Sequence, residues 1–483
     1  MVEIGGTPTS NNQDPRNTGL NPSTNSTIPH HQTSLIEPDI ARQSESPADK
    51  KNRYISVKLK FIIAQLGAIS WALLSVYISL PWIHDLNNIT GPILTIFIIG
   101  GIAIAPGYAS AFLLFSLMLD RRPAELVPEF YPPITILIAA YNEEATIVET
   151  LTSIVAQKYS GDLEIIVIND GSKDGTIEAA ASLALPGLRI ISLPNNTGKA
   201  TALNTGLQNA SHDIIITVDA DTYLYQDALT NIVARYLCDP PRTVAIAGAI
   251  CARNSRTNLL TRLQEWDYFH GIAMVKRIQS LYQGTLVAQG AFSLYSRKIL
   301  NEVGGWPTCV GEDIVLSWAM LKNGYRIGYA ENAIVFTVVP EHYGQLFQQR
   351  RRWARGMIEA MKAHPEIFFV PRLNIMFFYL NALFPWFDLA YLTCFVPGVI
   401  AALFGFYLVA GPMTIALVPL AIVANTIVFR VQRHMFRSRN LKIRRNISGL
   451  LLYMFFAQLI LAPASVAGYI SEMLQLAKNW GTK

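Results

Sequence analysis

Apolar residues are spread unevenly along this chain: they gather in long runs toward its two ends, with a differently patterned stretch between. Residues 61–82 and 92–119 are each long enough to cross a bilayer, since about 20 apolar residues in a helix span ~30 Å of hydrocarbon. Three more runs lie at 384–408, 412–429 and 450–470. The pattern predicts two membrane helices before the middle segment and three after it.

From Pro133 to about His364 short β-rich runs alternate with helical ones, which predicts an α/β domain with a largely parallel sheet. Residues 134–140 are almost continuously apolar, as in a strand buried on both faces. Runs 163–168, 188–193 and 213–218 repeat the strand signal, while a pattern ending at Val155, residues 200–208 and residues 314–321 read as helices. Polar residues collect where the strands end: Tyr141-Asn142-Glu143-Glu144, Asn169-Asp170-Gly171-Ser172 and Asp219-Ala220-Asp221. Ligands bind at those ends in open α/β sheets.

Asp170 taken alone reads best as part of a turn. Asp170, Asp219 and Asp221 together need a cation or hydrogen-bond donors, because clustered carboxylates repel. The Asp-x-Asp pair suits a hard divalent ion such as Mg²⁺ or Mn²⁺ bridging a diphosphate. Its rival is a helix cap supplied by Asp221 or Thr222. Glu312 and Asp313 come after Gly311 at the start of a helical pattern, where an acid also favours the positive helix end. Residues 345–361 set Leu346, Trp353, Met357 and Met361 at helical spacing, with Gln349, Arg350, Arg351, Arg352 and Arg355 between them. Such a basic amphipathic helix lies at a membrane surface, and contact with lipid phosphates is the simpler account of Arg350 or Arg351. An arginine held over a diphosphate is compatible with it.

Composition sharpens the picture: 51% of the 483 residues are hydrophobic, 15% are charged, and the net charge is +5. The basic residues flank the apolar runs instead of lining a soluble face, which argues against nucleic acid. Lys50, Lys51, Arg53, Lys58 and Lys60 precede the first run, and Arg121 and Arg122 come after the second. Arg433, Arg437, Arg439, Lys442 and Arg444 crowd the loop 430–445, whereas 81–91, read as a loop, has no Lys or Arg. The positive-inside rule then places the N-terminus, middle segment and basic loop in the cytosol of a multi-pass cell-membrane protein, with the C-terminus outside. Four cysteines without CxxC spacing indicate free thiols. The chain divides into a disordered cytosolic tail (1–56), two spans (57–120), the cytosolic domain (121–340), interfacial amphipathic helices (341–373) and three spans (374–483).

In order, Ala140-Tyr141-Asn142-Glu143-Glu144, Asn169-Asp170-Gly171-Ser172, Gly198-Lys199-Ala200, Asp219-Ala220-Asp221, Gly290-Ala291-Phe292-Ser293, Gly311-Glu312-Asp313 and Gln349-Arg350-Arg351-Arg352-Trp353 resemble the motifs of one family. It is the processive membrane glycosyltransferases of family 2, which make cellulose, chitin, hyaluronan and poly-N-acetylglucosamine. The resemblance implies a glycosyltransferase A-type nucleotide-sugar fold between the membrane helices. It implies that Tyr141 and Asp170 hold uracil, that Glu143 belongs to the donor site, and that Lys199 faces the nucleotide's phosphates or ribose. Asp219 and Asp221 are implied as the donor and metal pair, Asp313 as catalytic base, and Gln349 and Arg352 as closing over the diphosphate. Glu312 and Trp353 are implied on the acceptor side. Gly311 departs from the Thr found in many members.

The reading that results is inverting transfer from a UDP-sugar, with UDP-N-acetylglucosamine favoured, to a growing β-linked polysaccharide or a lipid acceptor. An accessory export subunit is compatible with it. A non-processive glycolipid enzyme shares the donor half, and a silent nucleotide-sugar sensor is the rival from another class; Gln-x-x-Arg-Trp argues against the first and intact acids against the second. Trp386, Phe387 and Tyr391 beside Asp388 suggest a polar path for the product. The simpler account puts Asp388 at the membrane interface, near the start of its span.

Overall fold

The computed structural model describes residues 55–121, 127–438, 441 and 445–477. The expectations for the tail, including Lys50, Lys51 and Arg53, and for Arg122, Arg439, Lys442 and Arg444 lie outside the described residues.

Strands β1 (Ile134–Ala140), β2 (Leu163–Asn169), β3 (Leu188–Ser192) and β4 (Ile214–Val218) form the parallel half of one sheet. Alternation sends Ile136, Ile138, Ile165, Val167 and Ile216 to one core, and Leu137, Ile166, Ile168 and Ile215 to the other. Covering both faces is what makes β1 read as a continuous apolar run. The other half was not legible as strands: β5 (Thr222–Leu224), β6 (Thr243–Ala252), β7 (Phe292–Ser296) and β8 (Arg326–Thr337). They complete the order β3-β2-β1-β4-β7-β6-β8-β5, in which β7 is antiparallel to β4 and β6, and β5 antiparallel to β8. The sheet is therefore mixed, parallel only over its first four strands and between β6 and β8. β6 is rich in Ala and Gly for a packing reason: a Cβ on Gly248 would stand 2.2 Å from the Phe292 ring.

Among the described residues, five helices are long and apolar enough to cross a membrane: Val57–Thr90, Pro92–Leu119, Ile375–Leu403, Thr414–Arg433 and Ile447–Met473. Two boundaries differ from the hydropathy pattern. Residues 81–90 are helix, with Pro81 inside it, and the chain turns at Gly91, whose φ of 78° suits glycine. The third span begins at Ile375, ahead of residue 384, so Asp388 lies well inside it and not near its start. Asp388 is buried, accepting from Tyr469 Oη at 2.9 Å and Gln458 Nε2 at 2.5 Å on the last span. Asn381 and Pro385 interrupt the apolar run in sequence without ending the helix.

The basic helix Tyr343–Ala363 is packed by protein on two sides. Cβ atoms built on Gly356 and Gly468 would fall 2.6 Å from Gly311 Cα and 2.4 Å from the Arg351 carbonyl oxygen, so backbones touch at both crossings. Arg355 is buried, bonds Glu472 at 2.9 Å, and donates to the Leu476 and Ala477 carbonyls beyond the last span. The Gly311 departure thus has a steric cause: a Thr there would strike Gly356.

Gly356→Leu is expected to force these backbones apart at a cost of about 1–3 kcal/mol. A lower melting temperature in detergent checks this, with Gly344→Ala, whose Cβ would meet nothing within 4 Å, as the silent control.

Candidate active site

The loops after β1 and β2 are sewn together. Asn142, left-handed at φ 55°, accepts from the Lys173 amide at 2.9 Å, and its own amide donates to Ser172 Oγ at 3.0 Å. The Glu143 amide donates to Thr176 Oγ1 at 2.8 Å, while the Glu143 carboxylate accepts from Thr146 at 2.8 Å. Tyr141 rises from this ledge with its ring exposed. Asp170 is buried at the end of β2 and has a local duty: it accepts from the Thr197 amide at 2.7 Å, Thr197 Oγ1 at 2.9 Å and the Gly198 amide at 2.8 Å. These bonds hold the turn that launches the Lys199–Asn209 helix, with Gly198 at φ 91°.

Lys199 reaches across to Asp219 in a short ion pair. Burial works against its charge, but Asp219, Glu312 and Asp313 outweigh that and hold the ammonium above its ordinary range. Asp219 is fixed through its amide to the Ala291 carbonyl at 3.1 Å, and Thr150 donates to the Ala220 carbonyl at 2.8 Å. Asp221 Oδ1 accepts from Thr222 and Thr337 hydroxyls at 3.4 and 3.3 Å. Asp221 leads directly into strand β5, so it caps no helix. Glu312 and Asp313 open the Glu312–Lys322 helix. Asp313 accepts from the Gly290 amide at 3.2 Å and its neighbour Ile314's amide at 2.8 Å. Gly290 leaves room for the Lys199 ammonium, since a Cβ there would lie 2.7 Å from Lys199 Nζ. Burial and the adjacent Asp313 push the Glu312 carboxyl up to about 8, against the pull of Lys199.

The basic helix brings Arg352 to the same place. Burial lowers its guanidinium from the ordinary range, while Glu312, Asp219 and Asp313 pull it back up. Gln349 Oε1 is buried with no hydrogen-bond partner among the described residues. Trp353 is largely exposed. Arg350 pairs with Asp267 in a largely buried bridge, and its guanidinium lies 4.3 Å from the Trp353 ring centre, so its charge is met by the protein. A phosphate headgroup competes poorly with a carboxylate already in place.

The sequence model of glycosyl transferase family 2 matches residues 135–304. The chain carries a glycosyltransferase family 2 domain. Poly-beta-1,6-N-acetyl-D-glucosamine synthase of Staphylococcus aureus (strain COL) is 38% identical over 245 residues, half of this chain and 58% of that protein. The synthase of the same name from Staphylococcus epidermidis is 36% identical over 230 residues, 47% of this chain and 55% of that protein. The chain thus spans less than two thirds of these relatives' length. Among solved structures, a mannosyltransferase from Pyrobaculum calidifontis in complex with GDP-Man and Mn2+ covers 87% of this chain and all of that one, at TM-score 0.50 and 18% identity. At that identity the likeness concerns the fold.

The two sewn loops form one group, and Lys199, Asp219, Glu312, Asp313 and Arg352 form a second, joined to the first through Asp170 and Thr197. Glu312, Asp313, Arg352 and Trp353 lie beyond the matched residues. Sequence reading missed Asp267, which anchors Arg350, and Tyr268, a buried ring 6.4 Å from Trp353. It also missed Lys276, a buried amine that senses Asp313. None of the three sits in a periodic or motif-like context.

Glu312 makes a pH prediction. Its folded value, about 8 against an ordinary 4.5, means that the fold prefers the protonated form. The stability it contributes is present in full below the ordinary value and is lost as pH rises toward and through about 8. Melting curves of wild type and Glu312→Gln should diverge across that window, the variant becoming relatively more stable as pH rises.

Proposed function

We propose that this chain transfers a sugar from a UDP-sugar to a growing β-linked polysaccharide at the cytosolic membrane face, with inversion and export of the product. The observation that carries the reading is the convergence of Lys199, Asp219, Glu312, Asp313 and Arg352, from separated stretches of chain, on one end of the sheet. A departing nucleoside diphosphate needs such cations, and a weakly acidic sugar hydroxyl needs such a carboxylate.

In this reading Tyr141 stacks on uracil from its exposed position, with Glu143 shaping the ledge. Asp170 acts mainly through the Thr197–Gly198 turn, and its less engaged Oδ2 is the acceptor for the uracil N–H. Lys199, Gln349 and Arg352 hold the diphosphate. Asp313, its carboxylate fixed by the Gly290 amide, takes the proton of the acceptor hydroxyl as that oxygen attacks the anomeric carbon from the face opposite UDP. Glu312, protonated near neutral pH, donates a hydrogen bond to acceptor or donor without adding charge. Trp353, held by Arg350 and Asp267, supports the acceptor sugar.

A divalent ion fits the donor set. Asp219 and Asp221 stand one residue apart, and no group of three or more His, Cys, Asp or Glu that could hold a metal occurs among the described residues, so the ion would draw further oxygens from the diphosphate and water. Asp221 and Asp219 would hold Mg²⁺ or Mn²⁺, which would supply charge neutralisation for the departing UDP. The names of the staphylococcal relatives support N-acetylglucosamine as the sugar and the 6-hydroxyl as the acceptor position. The flanking basic residues support a cytosolic face.

UDP release and product size from the detergent-purified protein, with UDP-N-acetylglucosamine against UDP-glucose, test the reading. High-molecular-weight β-linked product from the N-acetylglucosamine donor is expected; a lipid-linked monosaccharide alone would assign the chain to glycolipid synthesis. Asp313→Asn should slow transfer by about 10²–10⁴-fold while leaving UDP binding in place. Normal transfer by that variant would remove Asp313 from the mechanism.

A further inference from the structure

Two cations stand side by side in the Val275–Leu281 helix, and the protein treats them differently. Arg277 is neutralised at contact distance by Asp120 at 2.6 Å and Glu331 at 2.8 Å. Lys276 is as deeply buried, yet its hydrogen bond among the described residues goes to a neutral group, the Val287 carbonyl, at 2.6 Å. A buried ammonium without a touching anion is costly, so a fold that keeps one must gain from where it is placed.

Its placement is behind the base. The carbonyl it holds begins the segment 287–290, whose last amide, on Gly290, binds Asp313. The same segment is braced four more times, one of them by Ser293 Oγ, which donates to the Gln289 carbonyl at 2.7 Å. The Ala288 amide donates to Ser317 Oγ at 2.9 Å, and Ser317 Oγ donates to the Asp313 carbonyl at 2.6 Å. Tyr295 donates to the Ala288 carbonyl at 2.8 Å, and Gln289 to the Gly248 carbonyl at 2.7 Å. Of all these donors only Lys276 brings a positive charge.

We propose that Lys276 is a positioning residue for Asp313, tying down the segment that presents the Gly290 amide and supplying a buried positive charge behind the carboxylate. This rests on the reading of Asp313 as the base. Burial lowers the Lys276 amine to about 8, and the negative charge of Asp313 opposes that fall, so the two groups share a field without touching. The other titratable groups facing Asp313 are Glu312 on its own helix, Lys199 with its partner Asp219, Tyr295 on β7, and Arg352 from the basic helix. Lys199 and Arg352 are committed to the donor side. Of these three cations, Lys276 is the one tied to the segment behind Asp313.

Lys276→Gln, which keeps a donor for Val287 and removes the charge, and Lys276→Arg, which keeps the charge, separate this from a packing role. The readouts are the pH profile of UDP release by the detergent-purified protein and the affinity for UDP. Loss of the charge should move the acid limb of kcat, where Asp313 must be ionised, upward by about one pH unit. Below the limb that is a rate about tenfold lower, with KM for the UDP-sugar changed by less than about twofold. Lys276→Arg should leave the limb where wild type has it. An unmoved limb in Lys276→Gln, a uniform loss at all pH values, or loss of UDP binding in both variants would overturn the assignment. Failure of the wild type to release UDP from any UDP-sugar would instead overturn the proposed function.

Discussion

Repulsion among carboxylates gathered at one sheet end is the constraint around which this structure is arranged. Asp219, Asp221, Glu312 and Asp313 arrive there from two segments far apart in sequence, and each is held differently. Asp219 has Lys199 at contact distance, Asp221 accepts hydroxyl donors, Asp313 accepts amides, and Glu312 is pushed toward its neutral form. Like charges this close are tolerable only when cations, donors or protons are supplied. The protein supplies all three, and the cations come from outside the strands of the sheet.

That dependence explains why the basic helix is locked so firmly. Arg352 can serve the cluster only if Tyr343–Ala363 keeps its distance from the Glu312–Lys322 helix, and the contact of Gly311 with Gly356 fixes that distance at backbone range. On the opposite side Gly468 lets the last span come equally close, and Arg355 secures it through Glu472. Any shift of the last span therefore reaches Arg352 and Trp353 directly. Asp388, bonded to Gln458 and Tyr469, fixes the same span from within the membrane-crossing region.

Much of this was readable from sequence where one local force dominates. Strands β1, β2 and β4 showed themselves because a strand covered on both faces has no freedom to be polar, and the helix Ile147–Val155 because its apolar stripe is regular. β6 was hidden because close packing against Phe292 demands Gly and Ala, which carry no strand signal. The third span began earlier than its hydropathy suggested because Asn381 and Pro385 break the apolar run without ending the helix. In the candidate site the acids at strand ends were visible by pattern, whereas Asp313 and Arg352 took on roles only through resemblance. Lys276 had no signal at all: a lysine beside Arg277 acquires meaning only when the chain folds it behind Asp313.

Titration of UDP into the purified protein, with and without Mn²⁺ or Mg²⁺, tests most directly whether the acid and cation cluster is a diphosphate site. The account predicts saturable UDP binding that is strengthened by the metal and weakened in both Arg352→Ala and Asp221→Asn. Binding that is indifferent to the metal and to both substitutions would contradict it.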